Sequence, residues 1–173
     1  MPDTRSHPLD GIMKPGRFGA DKGAPGLVIC VLHPDDVVMA MARKGKAKAL
    51  AARVGSAARW AGPDQYYVYG EPHADLAKAL AGIASCSDQS HARCHLRIEG
   101  TRARDVLAKG TPIDLHPREF AIGKSALTQM AHVGVHLTRV GEDAFELSVF
   151  RGFAESFWEW LMTMSEEYGV QVG

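Results

Sequence analysis

Short runs of strand character, most of them bounded by glycine or proline, recur from Leu27 to Phe150 and alternate with brief stretches of helical spacing. Such runs can bury an apolar face only by pairing with one another, so the chain must build sheets covered by its helices. "LVICVLH", from Leu27, is almost wholly apolar and reads as a buried strand. Pro34 suits the first turn of a helix, with Asp35 and Asp36 near its positive end, and that helix is expected to run to about Arg53. A strand around Ser56 to Trp60 stops at "GPD", and "QYYVYG" resumes as strand. Pro72 opens a helix with Leu76, Leu80 and Ile83 at helical spacing, and a strand near Ser85 to Ser90 completes a β-α-β-β-α-β order.

The second half repeats the theme. In "ARCHLRIEG", Cys94, Leu96 and Ile98 share one face while Arg93, His95 and Arg97 share the other, which predicts a one-sided sheet. "TRARDVLAKG" fits a helix capped by Thr101 and stopped by Gly110, with Val106 and Leu107 inward. The run from Ala126 to Val140 is expected to pair with Phe145 to Phe150 across "GED". A closing helix carries Phe153, Phe157, Trp160, Leu161, Met164 and Tyr168 on one stripe. The predicted fold is α+β, two split βαβ, ferredoxin-like halves at 27–91 and 92–173. Residues 1–26 hold Pro8, Pro15 and Pro25 among five glycines and read as an extended arm. The arm is either a free tail or a segment ordered on a partner through Leu9, Ile12, Met13 and Phe18.

Composition excludes several classes. No run of about 18 apolar residues is present to cross a bilayer. The start "MPDTRSHPLDG" places Asp3 and Pro8 where a secretory peptide needs an apolar core, so a cytoplasmic protein is expected. Cys30, Cys86 and Cys94 lack framework spacing and are expected to be reduced. The formal net charge is zero, yet Arg43, Lys44, Lys46, Lys48 and Arg53 form a basic stretch, and Glu155, Glu159, Glu166 and Glu167 an acidic one. The basic stretch beside Tyr66, Tyr67 and Tyr69 raises a ferredoxin-like RNA-binding module. Against it, those lysines follow a helix and not the aromatic sheet face.

Residues with chemical potential do not converge. His132 and His136 sit in an alternating stretch, and on one strand they would stand about 13 Å apart, too far to share an ion. The same objection meets His91 and His95, and no paired short ligand spacing for zinc occurs. "GRFGADKG" lacks the strand-turn-helix context of a dinucleotide loop. Ser125 and Ser156 have no nucleophile elbow, and Asp114 near His116 reads as a turn in which the carboxylate accepts backbone amides. Accordingly no catalytic, cofactor-binding or metal-binding residue is expected on this chain.

The segments "GPDQYYVYG", "SDQSHARCHLRIEGTRARDVLAKG", "DLHPREFAIGKS" and "FRGFAESFWEWL" follow one another as in the gamma subunits of heterotetrameric sarcosine oxidases, which the chain resembles over about its last 110 residues. The resemblance implies the shape of the aminomethyltransferase folate-binding domain. It also implies a non-catalytic accessory role in a complex that demethylates sarcosine with tetrahydrofolate as one-carbon acceptor. Its partners would be a large NAD- and folate-binding subunit in direct contact, a flavin-binding subunit carrying FAD, and a small zinc subunit, with FMN between the first two. The aminomethyltransferase places an acidic residue just before its second hairpin strand, where this chain has Val133 and Gly134. Phe157, Trp158 and Trp160 offer apolar surface in more than one direction, so Phe157 and Trp158, with Phe18 of the arm, are expected at an inter-subunit contact. Still open are the small subunit of an N-methylglutamate dehydrogenase-type complex and a free-standing folate- or RNA-binding module.

Overall fold

A computed structural model describes residues 7–20 and 23–173; the arm positions 1–6, 21 and 22 lie outside the described residues. Fifteen elements follow in chain order: β1 (Gly16–Phe18), β2 (Leu27–Leu32), β3 (Val37–Ala42), α1 (Ala47–Val54), β4 (Arg59–Gly62), β5 (Gln65–Tyr69), α2 (His73–Ala79), β6 (Ala84–Asp88), β7 (Arg93–Glu99), α3 (Ala103–Ala108), β8 (Ser125–Met130), β9 (Val133–Arg139), β10 (Ala144–Phe150), α4 (Ala154–Ser165) and β11 (Val170–Val172). A single 3-10 turn follows α1, and one stands at each end of α4.

The strands form two sheets, one of four in the order β4-β5-β3-β6 and one of seven in the order β1-β11-β2-β7-β10-β9-β8. The expected β-α-β-β-α-β order is present, but it begins ten residues later than read. The helix expected from Pro34 to Arg53 is instead β3, a turn at Gly45 and the short α1. The β-branched pair Val37 and Val38 favours strand, and alternation then divides the residues between two faces: Val38 and Ala40 pack on Leu50, Leu76 and Leu80, while Val37 and Met39 face the other sheet. A proline followed by two acids is a helix-start signal, and here tertiary pairing of β3 with β5 and β6 overrides it.

Freed from that unit, β2 joins the seven-stranded sheet between β11, to which it is parallel, and β7, to which it is antiparallel. The second unit is thus a split βαβ arrangement with β2 inserted beside its first strand and β8 added at its edge. The run from Ala126 to Val140 is a hairpin of its own, not one strand: Met130 pairs with Val133 across Ala131 and His132, both at positive φ. Thr101 does not cap α3, whose N-terminal flanking residue is Arg102 without a side-chain cap bond.

Four layers result. Helices α1 and α2 cover the outer face of the small sheet. Helices α3 and α4 cover the outer face of the large one, where Leu96, Ile98, Leu137, Phe145, Leu147, Phe157 and Leu161 form the main core. Each such side chain removed from water contributes about 1.5–3 kcal/mol. The arm packs on its own chain: Leu9 is buried, Ile12, Met13 and Phe18 lean on the main core, and β1 pairs with β11. The described part of the arm is therefore docked on its own chain and is not a free tail.

Candidate functional site

The inner faces of the two sheets meet in a seam that is polar rather than apolar. Alternation on β7 sends Cys94, Leu96 and Ile98 to the main core, as expected, but Arg93 and His95 do not reach solvent, because the small sheet lies over them. The one-sided sheet is therefore a two-sided one at this end. His95 stacks edge-on against Tyr69 at 5.9 Å between ring centroids, and His136 of β9 does so against Tyr67 at 5.0 Å. His136 Nε2 lies 2.9 Å from the Trp60 carbonyl oxygen and donates to it. Arg59 bridges the sheets by pairing with Glu146 of β10 at 2.5 Å while lying over the Tyr69 ring.

Burial pushes both His95 and His136 down to about 4, and the nearby Arg59 and Arg93 guanidiniums push the same way, so both rings are neutral near pH 7. Tyr67 and Tyr69 are shifted upward by burial and stay protonated. This arrangement overturns the RNA-binding alternative. The sheet face on which bases would stack carries Tyr67 and Tyr69, and the large sheet occupies it.

The remaining sequence-selected residues are dispersed. His132 occupies the exposed β8–β9 turn and His136 the buried seam. His91 is exposed while His95 is buried. Among the described residues no group of three or more potential ligands is placed to hold a metal ion. Cys94 is buried and its thiol is pushed up to about 12 by desolvation, so it stays an unreactive thiol. Asp114 accepts the His116 amide at 2.8 Å, as its turn position predicts. Arg43, Lys44, Lys46, Lys48 and Arg53 are all exposed, but only Lys48 and Arg53 lie on α1.

Val133 is buried and Gly134 exposed at the start of β9. Beside Val133 lies an open hollow of about 530 Å³, lined among others by Lys109, Gln129, His132, Ser156 and Trp160, and no carboxylate belongs to its lining. Of the residues selected for an inter-subunit contact, Phe157 is fully buried and Trp158 is 5% exposed, both within the chain's own core, and Phe18 is partly buried against it. The stripe on α4 is wider than one face requires because α4 packs against both β10 and α3. Exposed apolar surface instead gathers at Phe150 and Phe153, at the junction of β10 and α4, and at Trp60 and Leu127.

Two stacked sheets with helices on both outer faces define the class, that of the aminomethyltransferase folate-binding domain. The glycine cleavage system aminomethyltransferase T from Bartonella henselae overlays with a TM-score of 0.62 at 16% identity, covering 86% of this chain and 48% of that one; this likeness is one of fold. The model of the sarcosine oxidase, gamma subunit family matches residues 45–167, and the chain belongs to that family. The sarcosine oxidase subunit gamma of Corynebacterium sp. strain U-96 is 34% identical over 121 residues, 67% of this chain and 59% of the relative. That of Corynebacterium sp. strain P-1 is 32% identical over 124 residues, 68% of this chain and 60% of the relative. The chain thus spans about three fifths of the length of the curated relatives it matches. A chain of the heterotetrameric sarcosine oxidase from Corynebacterium sp. U-96, solved in complex with pyrrole 2-carboxylate, overlays with a TM-score of 0.73 at 25% identity, covering 87% of this chain and 88% of that one.

Proposed function

We propose that this chain is the gamma-type accessory subunit of a heterotetrameric sarcosine oxidase, an enzyme that oxidatively demethylates sarcosine with tetrahydrofolate as one-carbon acceptor. The observation that carries the reading is the overlay on a heterotetrameric sarcosine oxidase chain over nearly nine tenths of both chains. In this reading FAD, FMN, NAD, zinc and the folate site belong to other subunits, and this chain contacts the large NAD- and folate-binding one. The chain supplies no reacting group: the position wanted for a carboxylate carries Val133 and Gly134, and neither can hold or move a proton.

Its contribution is surface. Phe153 and Phe150 present apolar area to a partner, Phe18 extends it from the arm, and Phe157 and Trp158 act from beneath by holding α4 against the sheet. No helix is long and apolar enough to cross a membrane, and a cytoplasmic complex is the setting we propose. Co-expression with the neighbouring subunits tests the reading. The chain purified alone is expected to be colourless and the assembly yellow. Flavin absorbance that follows this polypeptide through denaturing separation, or failure to co-purify, refutes it.

A further inference from the structure

The polar seam opens at one end into a cleft. A hollow of about 310 Å³, lined among others by Leu32, His33, Pro34, Asp35, Arg93 and His95, adjoins a second of about 270 Å³ that shares Leu32, His33, Pro34 and His95 and adds Tyr69 and Glu146. Three buried side-chain atoms along this cleft have no hydrogen-bond partner: Arg93 Nε, His95 Nε2 and the Tyr69 hydroxyl. Arg93 is 9% exposed and His95 5% exposed. Buried polar groups are almost always paired, so three in one place require an explanation.

Arg93 sharpens the point. Its guanidinium has the faces of Tyr67 and Phe150 at 4.8 and 4.2 Å and a long bond from Nη1 to Ser148 at 3.4 Å. It has no carboxylate partner among the described residues. The other guanidinium buried among the described residues shows that pairing is attainable here: Arg139 donates to the carbonyls of Phe120, Gly141 and Glu142 through all three nitrogens. Glu146, the nearest acid on β10, is engaged by Arg59 and Arg97. Asp35 at the rim is exposed and forms no ion pair with Arg93.

Arg93 Nε–H can only donate, the Tyr69 hydroxyl can donate through its one proton, and neutral His95 supplies a third proton when Nε2 carries its hydrogen. A set of unmatched donors around an uncompensated cation selects an acceptor with negative charge. Leu32 and the pyrrolidine of Pro34 in the wall favour an organic body over a fully hydrated inorganic ion. Arg151 and Asp35 of the same wall offset each other in charge, which leaves Arg93 to be matched by a single negative charge. We propose that this cleft is a binding site for a small organic monocarboxylate, held by Arg93 with His95 and Tyr69. The site goes beyond the accessory role and depends on this chain alone.

The test is a propionate titration of the full chain, labelled with nitrogen-15, at constant ionic strength, following the Arg93 Nε–H resonance. A saturable shift with a dissociation constant below about 10 mM is expected. Arg93→Met should weaken binding at least about tenfold, with Arg93→Lys between the two. Because Arg93→Met removes an unpaired buried charge, its melting temperature should equal or exceed that of the parent chain without propionate, which shows that lost binding is not lost folding. An unresponsive Arg93 signal, an equal response to chloride, or a response to phosphate and not propionate each overturns the proposal.

Discussion

Acid should loosen this fold before its carboxylates titrate. His95 and His136 are neutral in the folded chain because burial holds them at about 4, whereas the unfolded chain takes up protons at the ordinary value of 6.5. A folded value below the unfolded one means that the stabilisation is complete above pH 6.5 and is lost progressively as pH falls toward 4. Each ring accounts for about 2 kcal/mol lost by pH 5 and about 3 kcal/mol by pH 4, so the pair removes about 4 kcal/mol by pH 5 from a total of roughly 5–15. Part of that cost is repulsion from Arg59 and Arg93, which act on both rings. Urea unfolding at half-unit steps from pH 7.5 to 4.5 measures the slope, expected to approach two protons per molecule between pH 6 and 5. His136→Gln should reduce that slope by about one proton. A flat profile between pH 6.5 and 5, or a His136 titration midpoint near 6.5 by NMR, would refute the argument.

Trp158→Ala should destabilise the isolated chain by about 3–5 kcal/mol in urea unfolding, because the ring belongs to the main core. Phe153→Ser, at a side chain 53% exposed, should leave stability within about 0.5 kcal/mol and lower recovery of the complex in a pull-down. Gly110→Ala should cost about 1–3 kcal/mol, since the added methyl would stand 2.4 Å from the Trp160 ring; a melting temperature equal to the parent's would show that Trp160 can move aside. Calorimetric titration with tetrahydrofolate should show no binding tighter than about 10 µM, roughly −7 kcal/mol, because no carboxylate lines the hollow at Val133.

Much of the fold was legible because local chemistry and tertiary outcome agree. Pro72 precedes α2, Val106 and Leu107 point inward from α3, and β7 alternates as its residues require. Where local chemistry was ambiguous, the reading failed in a definite way. "PDDVV" carries helix-start signals, and only the pairing of Val37–Ala42 with strands on both sides makes it β3. The Ala131–His132 turn lacks the glycine that ordinarily announces such a hairpin, although a single strand from Ala126 to Val140 would be nearly three times the usual length of about 5–6 residues, and that length was an available warning.

The seam between the sheets escaped for a different reason. Arg93, His95, His136, Thr138 and Ser148 are polar at alternate positions, the pattern of a solvated sheet face, and nothing within a strand's own length distinguishes water from a second sheet. Only the face of β5 gives a hint, since Tyr67 and Tyr69 alternate with Tyr66 and Val68 and make both sides of that strand apolar. A polar seam also constrains how the sheets can meet. Apolar side chains would tolerate sliding, whereas the Arg59–Glu146 pair and the His136 bond to the Trp60 carbonyl are satisfied in one registration only. A chain whose role is to present a fixed surface to partners gains from that restriction. Its cost is a set of buried donors, and the three left unmatched lie at the end of the seam that opens to solvent.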